Sequence, residues 1–151
     1  MKLRYAILLL LTLLLLTVLT ACGSSEPKEP PDLRGEWQQV LSGDSDEEPD
    51  YYYKAVIADD RMEIYYYFTE DGSRDLFWRG SFAPPTDAKE PYTWVSENEL
   101  KEDTDFKRYR YASRDETMEF TYKKDKITYT LSPNAVLRMI ATLERVPDGE
   151  T

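Results

Sequence analysis

From Leu33 onward, apolar and polar residues alternate with a period of two, the spacing of strands with one buried face. Tyr51–Ala58 (YYYKAVIA) and Arg61–Phe68 (RMEIYYYF) are β-rich runs separated only by Asp59-Asp60. That break predicts a two-residue hairpin loop, with Ala58 opposite Arg61 and the register counted outward from there. Ile57 then meets Met62, Ala55 meets Ile64, Tyr53 meets Tyr66 and Tyr51 meets Phe68, an apolar face suited to a core. The other face pairs Val56 with Glu63, Lys54 with Tyr65 and Tyr52 with Tyr67. In Ser73–Phe82 (SRDLFWRGSF), Leu76, Trp78, Gly80 and Phe82 alternate with Phe77, Arg79 and Ser81. A two-residue loop at Asp71-Gly72 would turn Asp75 and Arg79 inward, so the pattern predicts an odd-length loop that sets Phe68 opposite Leu76 and Tyr66 opposite Trp78. Further strands are expected at Trp37–Leu41, Pro91–Val95, Lys107–Ser113, Thr117–Lys123, Lys126–Leu131 and within Val136–Val146. Ser96-x-x-Glu99 has the spacing of a capping box, but no apolar stripe follows, so a loop or one helical turn is expected there. About nine strands joined by tight turns predict an all-β antiparallel meander, closing into an up-and-down barrel of 8–9 strands; a two-sheet sandwich is the alternative.

The N-terminus follows another pattern. Lys2 and Arg4 precede an uncharged run, Tyr5–Val18, which is shorter than the roughly 20 residues of a spanning helix and matches a signal-peptide core. Thr20-Ala21 then meets Cys22, the single cysteine of the chain. Leu19-Thr20-Ala21-Cys22 resembles the lipobox of bacterial lipoproteins, which implies diacylglycerol on the Cys22 thiol and cleavage before it. Two acyl chains anchor firmly, at ~0.8 kcal/mol per buried CH₂. Gly23–Asp32 (GSSEPKEPPD) is polar and Pro-rich and reads as an extended tether. The expected organisation is a helical signal peptide at 1–21, lipidated Cys22 and tether at 22–32, a β-barrel domain at 33–147 and a disordered tail at 148–151.

Charge and composition narrow the chemistry. The chain carries −10, and losing Lys2 and Arg4 with the leader leaves −12. Such a surface repels nucleic acid and does not adhere to anionic lipid by charge. There is no histidine, which removes Ser-His-Asp and Cys-His nucleophiles and imidazole metal ligands. The acidic loop Gly43–Asp50 lacks the sixth-position glycine and distal glutamate of an EF-hand and reads as solvated. With 29 acidic residues, a pair at glycosidase spacing is uninformative. No cofactor, metal or catalytic residue is expected, and the protein is read as a non-enzyme.

Leu33-Arg34-Gly35-Glu36-Trp37, an L-x-G-x-W motif, resembles the first strand of lipocalin-like barrels. The resemblance implies that Gly35 allows a tight entry, that Trp37 plugs the barrel floor, and that Arg145 of Leu143-Glu144-Arg145 lies over the indole. DLRGEW, FAPPTDAKEPYTWVSEN, ASRDETMEFTYKKDKITY and LER, in that order, resemble a family of small lipoproteins of Gram-positive bacteria and their prophages. That family has no assigned activity, and a prophage setting implies alteration of the host cell surface, for example exclusion of related phage.

Outward Tyr52, Tyr65 and Tyr67 with Lys54 form a candidate binding patch, since tyrosine offers contact area with a polar tip. The expected protein is a monomer, lipid-anchored through Cys22 on the outer face of the cytoplasmic membrane. There it acts as a non-enzymatic interaction module toward an envelope or phage protein. A carrier of a small apolar ligand inside the barrel is the alternative.

Overall fold

The hairpin around Asp59-Asp60 organises one half of the sheet. In the computed structural model, which describes residues 28–41, 49–103, 108–131 and 139–147, β1 (Gly35–Gln39) is followed by β2 (Tyr51–Ala58) and β3 (Arg61–Phe68). All eight β2–β3 pairs, from Ala58↔Arg61 to Tyr51↔Phe68, fall in the register counted from the two-residue loop. Asp59 takes φ 51°, a left-handed position that Asp tolerates better than most residues. Then come β4 (Arg74–Ser81), β5 (Tyr92–Glu97), β6 (Thr117–Lys123), β7 (Lys126–Leu131) and β8 (Met139–Arg145). The β6–β7 turn places Lys124 and Asp125 at φ 51° and 59°, as a type I′ hairpin requires.

The eight strands form one antiparallel sheet in the spatial order β4-β3-β2-β1-β8-β7-β6-β5. The first strand therefore pairs with the last, Trp37 opposite Arg145 and Gln39 opposite Leu143. The outermost strands, β4 and β5, come together at the bridge Gly80↔Asn98, one residue past the end of β5, which leaves a nearly closed barrel with a seam. At the seam the Trp78 indole N–H donates to Ser96 Oγ at 3.1 Å. One end, the floor, carries Gly35 and the Asp59-Asp60 turn; the other, the mouth, carries Tyr51, Phe68 and the start of β4. An eight-stranded barrel is just wide enough to be filled by side chains. Here Trp37, Trp78, Phe120, Ile64, Met62, Ile127 and Leu143 are all essentially inaccessible. Phe120 lies between Trp94 and Tyr129, with ring centroids 5.2 and 5.3 Å away.

The register expected for β4 is corrected. Trp78 lies opposite Ile64, not Tyr66, and Leu76 lies opposite Tyr65, not Phe68. Toward the mouth Asp75 does face the inward parity, opposite Tyr66. The pairing shifts between Ile64 and Tyr65, so Phe77 is the extra residue of a bulge and Trp78 regains the core side. The parity conflict legible in the sequence is thus resolved within the strand, and Leu76, Phe77 and Trp78 are buried in succession.

Residues 108–113 of the expected strand Lys107–Ser113 are not a strand. They run along the edge of β4, with Ser113 N donating to Phe77 O at 2.8 Å and Arg110 N to Asp75 Oδ2 at 3.1 Å. Alternating Arg and Tyr offers no continuous apolar face to hold a ninth strand in the sheet. The helical turn after β5 is a 3₁₀ turn, Glu99–Glu102, capped by Asn98 Oδ1, which accepts from Leu100 N at 3.0 Å. Ser96 is buried in β5 instead of capping. Met139 shares parity with Ala141 and Leu143 but is half exposed at the mouth. The expected leader, Cys22, most of the tether, most of the acidic loop, Leu137 and the tail 148–151 lie outside the described residues.

Candidate functional site

The outward face of β2, β3 and β4 gathers Tyr52, Lys54, Tyr65 and Tyr67. Tyr52 and Tyr67 are cross-strand neighbours whose rings stack at 5.7 Å and 17°. Lys54 Nζ lies 5.8 Å from the first ring and 5.0 Å from the second. Arg74 covers the Tyr65 ring at 4.6 Å and donates to the Tyr67 hydroxyl at 3.2 Å. The Tyr65 hydroxyl donates to Glu63 Oε2 at 2.5 Å, and Arg79 Nε donates to Glu63 Oε1 at 2.7 Å. Burial, then the bond to Glu63, pushes the Tyr65 phenol up to about 12. Burial also pushes the Glu63 carboxyl up, but the bonds from Tyr65 and Arg79 outweigh it and hold the group below its ordinary value. The Tyr52 and Tyr67 rings thus contact each other and Lys54, and the Tyr65 ring is covered by Arg74, so the four candidates form one linked ladder. Beside it, a cleft of about 360 Å³ is lined by Gln38, Leu41, Tyr52 and Tyr67.

The floor is a second constellation. Gly35 has φ 120°, open to glycine and not to other L-residues, and a Cβ there would press on Arg145 Nη1 at 2.9 Å. That backbone delivers Trp37 into the core, where its indole N–H donates to Leu33 O at 2.9 Å. The Arg145 guanidinium lies 4.6 Å from the indole centroid. Its Nη1 donates to Arg34 O at 2.5 Å and its Nη2 to Asp32 O. Gly35, Trp37 and Arg145 are therefore brought together, and the end of the tether is clamped onto the last strand.

Sequence reasoning missed the mouth. Tyr111 packs on Tyr66 and Phe68, each at 5.3 Å, and the outer edge of this aromatic group is Tyr51, 4.8 Å from Tyr66. A strand over Lys107–Ser113, as the alternation predicts, gives Tyr111 no contact with Phe68. Sequence reasoning also missed two buried polar atoms that lack a hydrogen-bond partner among the described residues, Trp94 Nε1 and the Tyr129 hydroxyl. Burial raises the Tyr129 phenol far above its ordinary range, so it stays neutral.

Among the described residues no three carboxylates or cysteines are grouped to hold a metal, and no helix is long and apolar enough to cross a membrane. No family model, curated protein or solved structure matches the chain.

Proposed function

We propose that the protein is an exported lipoprotein, moored through Cys22 to the outer face of the cytoplasmic membrane, whose barrel acts as a non-enzymatic binding module. A prophage origin and a role in modifying the host cell surface accompany this reading through the family resemblance alone. The observation that carries the choice of module over carrier is the filled interior. Trp37, Trp78, Phe120 and Tyr129 occupy the space in which a carrier would hold an apolar ligand. Recognition then falls to the outside, where the ladder of Tyr52, Tyr65 and Tyr67 with Lys54 adjoins a cleft. The clamp of Arg145 on the tether backbone suits a body held by its N-terminal end.

Two measurements test the proposal. Cells fed labelled palmitate should incorporate it into the wild-type chain and not into Cys22→Ser, and the variant should leave the membrane fraction; an unlabelled wild type refutes the anchor. Native mass spectrometry of the full chain released from detergent should show the bare polypeptide apart from its own acyl groups. A stoichiometric apolar adduct in Cys22→Ser would favour the carrier.

A further inference from the structure

We propose that the cleft at the barrel mouth takes an arginine-bearing peptide segment of a partner protein. This goes beyond the Tyr52–Tyr67 ladder and rests on the binding-module reading, not on the anchor. The cleft, about 600 Å³ in volume, lies between the β3–β4 turn and the 108–113 segment, within the range of ligand sites. Its apolar wall is Phe68 and Tyr111, whose rings meet at 5.3 Å. It is also lined by Asp50, Glu70 and Asp71; Asp71 Oδ1 accepts from Ser73 N at 2.9 Å, and among the described residues none of the three is in an ion pair.

Charge and ring chemistry agree on the occupant. A guanidinium is planar and weakly hydrated, so it stacks on an aromatic face while its N–H groups reach carboxylates. The chain supplies an example in the cleft itself: the Arg110 guanidinium lies over the Tyr111 ring, 5.7 Å from its centroid. Unlike the half-buried rings of the ladder, Tyr111 is 38 % exposed, and Tyr51, which also packs on Tyr66, is 43 % exposed. A chain of net charge −10 also draws a basic partner from a distance. Position fits as well. The mouth is separated from the clamped residues Asp32 and Arg34 by the length of β2, eight residues or roughly 25 Å, so it lies at the opposite end of the barrel.

The test uses the full chain in nonionic detergent and a fluorescent (Arg-Gly)₄ peptide, with (Glu-Gly)₄ as comparison, followed by anisotropy at about 0.15 M salt. The arginine peptide should bind and the glutamate peptide should not. Tyr111→Ser, and separately the pair Asp50→Asn with Glu70→Gln, should weaken binding at least about fivefold. The pair Glu97→Gln with Glu119→Gln, which removes the same charge elsewhere, should change it less than about twofold. Arg110→Gln should tighten binding by vacating the ring, while Lys123→Gln, an equal charge change at the floor, should not. Tyr111 is exposed and outside the sheet, so its variant keeps the fold, checked by an unchanged melting curve. Absence of binding, or equal losses in the mouth and control pairs, overturns the proposal. Either result leaves the palmitate test of the anchor untouched.

Discussion

Arg145 does two things through one planar group: it covers the Trp37 indole and it donates to the backbone carbonyls of Asp32 and Arg34. The cation–π contact is worth about 0.5–2 kcal/mol, and each hydrogen bond adds about 1. Arg145→Gln should therefore destabilise the full chain by about 2.5–4 kcal/mol in urea titration and alter tryptophan emission, whereas a loss under about 0.5 would deny the clamp its role. Arg145→Lys should rescue little, because an ammonium cannot reach two carbonyls in a fixed fork. Glu63 gives a pH-dependent counterpart. Its carboxyl titrates below the ordinary 4.5 in the folded chain. It thus contributes stability that is fully present above 4.5 and is lost as pH falls through the lower folded value. Glu63→Gln should flatten the acid side of the stability profile in that window. An unchanged acid limb would show that the bonds from Tyr65 and Arg79 do not favour the ionised form.

The strands differ in how plainly the sequence declares them. β2 and β3 were legible pair by pair, because a two-residue loop fixes parity and one face is uniformly apolar. The outward ladder followed from the same count, and the L-x-G-x-W resemblance pointed to Trp37 and Arg145. β4 was not legible in register, since periodicity assumes one residue per step and Phe77 is a bulge. Tyr111 was misread because charge–aromatic alternation looks the same in a strand and in a loop that lays its ring on a neighbour. Gly80 was legible only as one inward position of the β4 alternation, and it marks where the two edges of the sheet touch. A Cβ there would sit inside contact distance of Ser96 Oγ and the Glu97 carbonyl oxygen, with Trp78 Nε1 at 2.8 Å. Backbone cannot yield as a flexible side chain does, so Gly80→Ala should cost about 2–3 kcal/mol. Gly72, at φ 68° with no atom within 4 Å of a built Cβ, offers the contrast. Gly72→Ala should cost only the left-handed penalty of about 1–2 kcal/mol. Thermal melts of the two variants check the ranking, and equal losses would place no special strain at the seam.

The order of strands around the ring has a consequence for how the chain acquires its shape. Because β1 bonds to β8, the ring cannot be completed until the last residues are available, and every earlier product is an open ribbon with two bare edges. Contacts between distant parts of a chain slow folding. Yet the seam between β4 and β5 lies in a loop that a cut at Asp87-Ala88 would open, and Arg145 holds the chain's two ends of the barrel side by side. Joining Pro147 to Asp32 by a short Gly-Ser linker and cutting there would make each strand follow its spatial neighbour without exception. Such a circular permutant should keep the same β-sheet spectrum and refold at least about tenfold faster than the 32–147 segment in its natural order. Stopped-flow tryptophan fluorescence would read the difference, and equal rates would mean that some step other than the meeting of the two ends governs assembly.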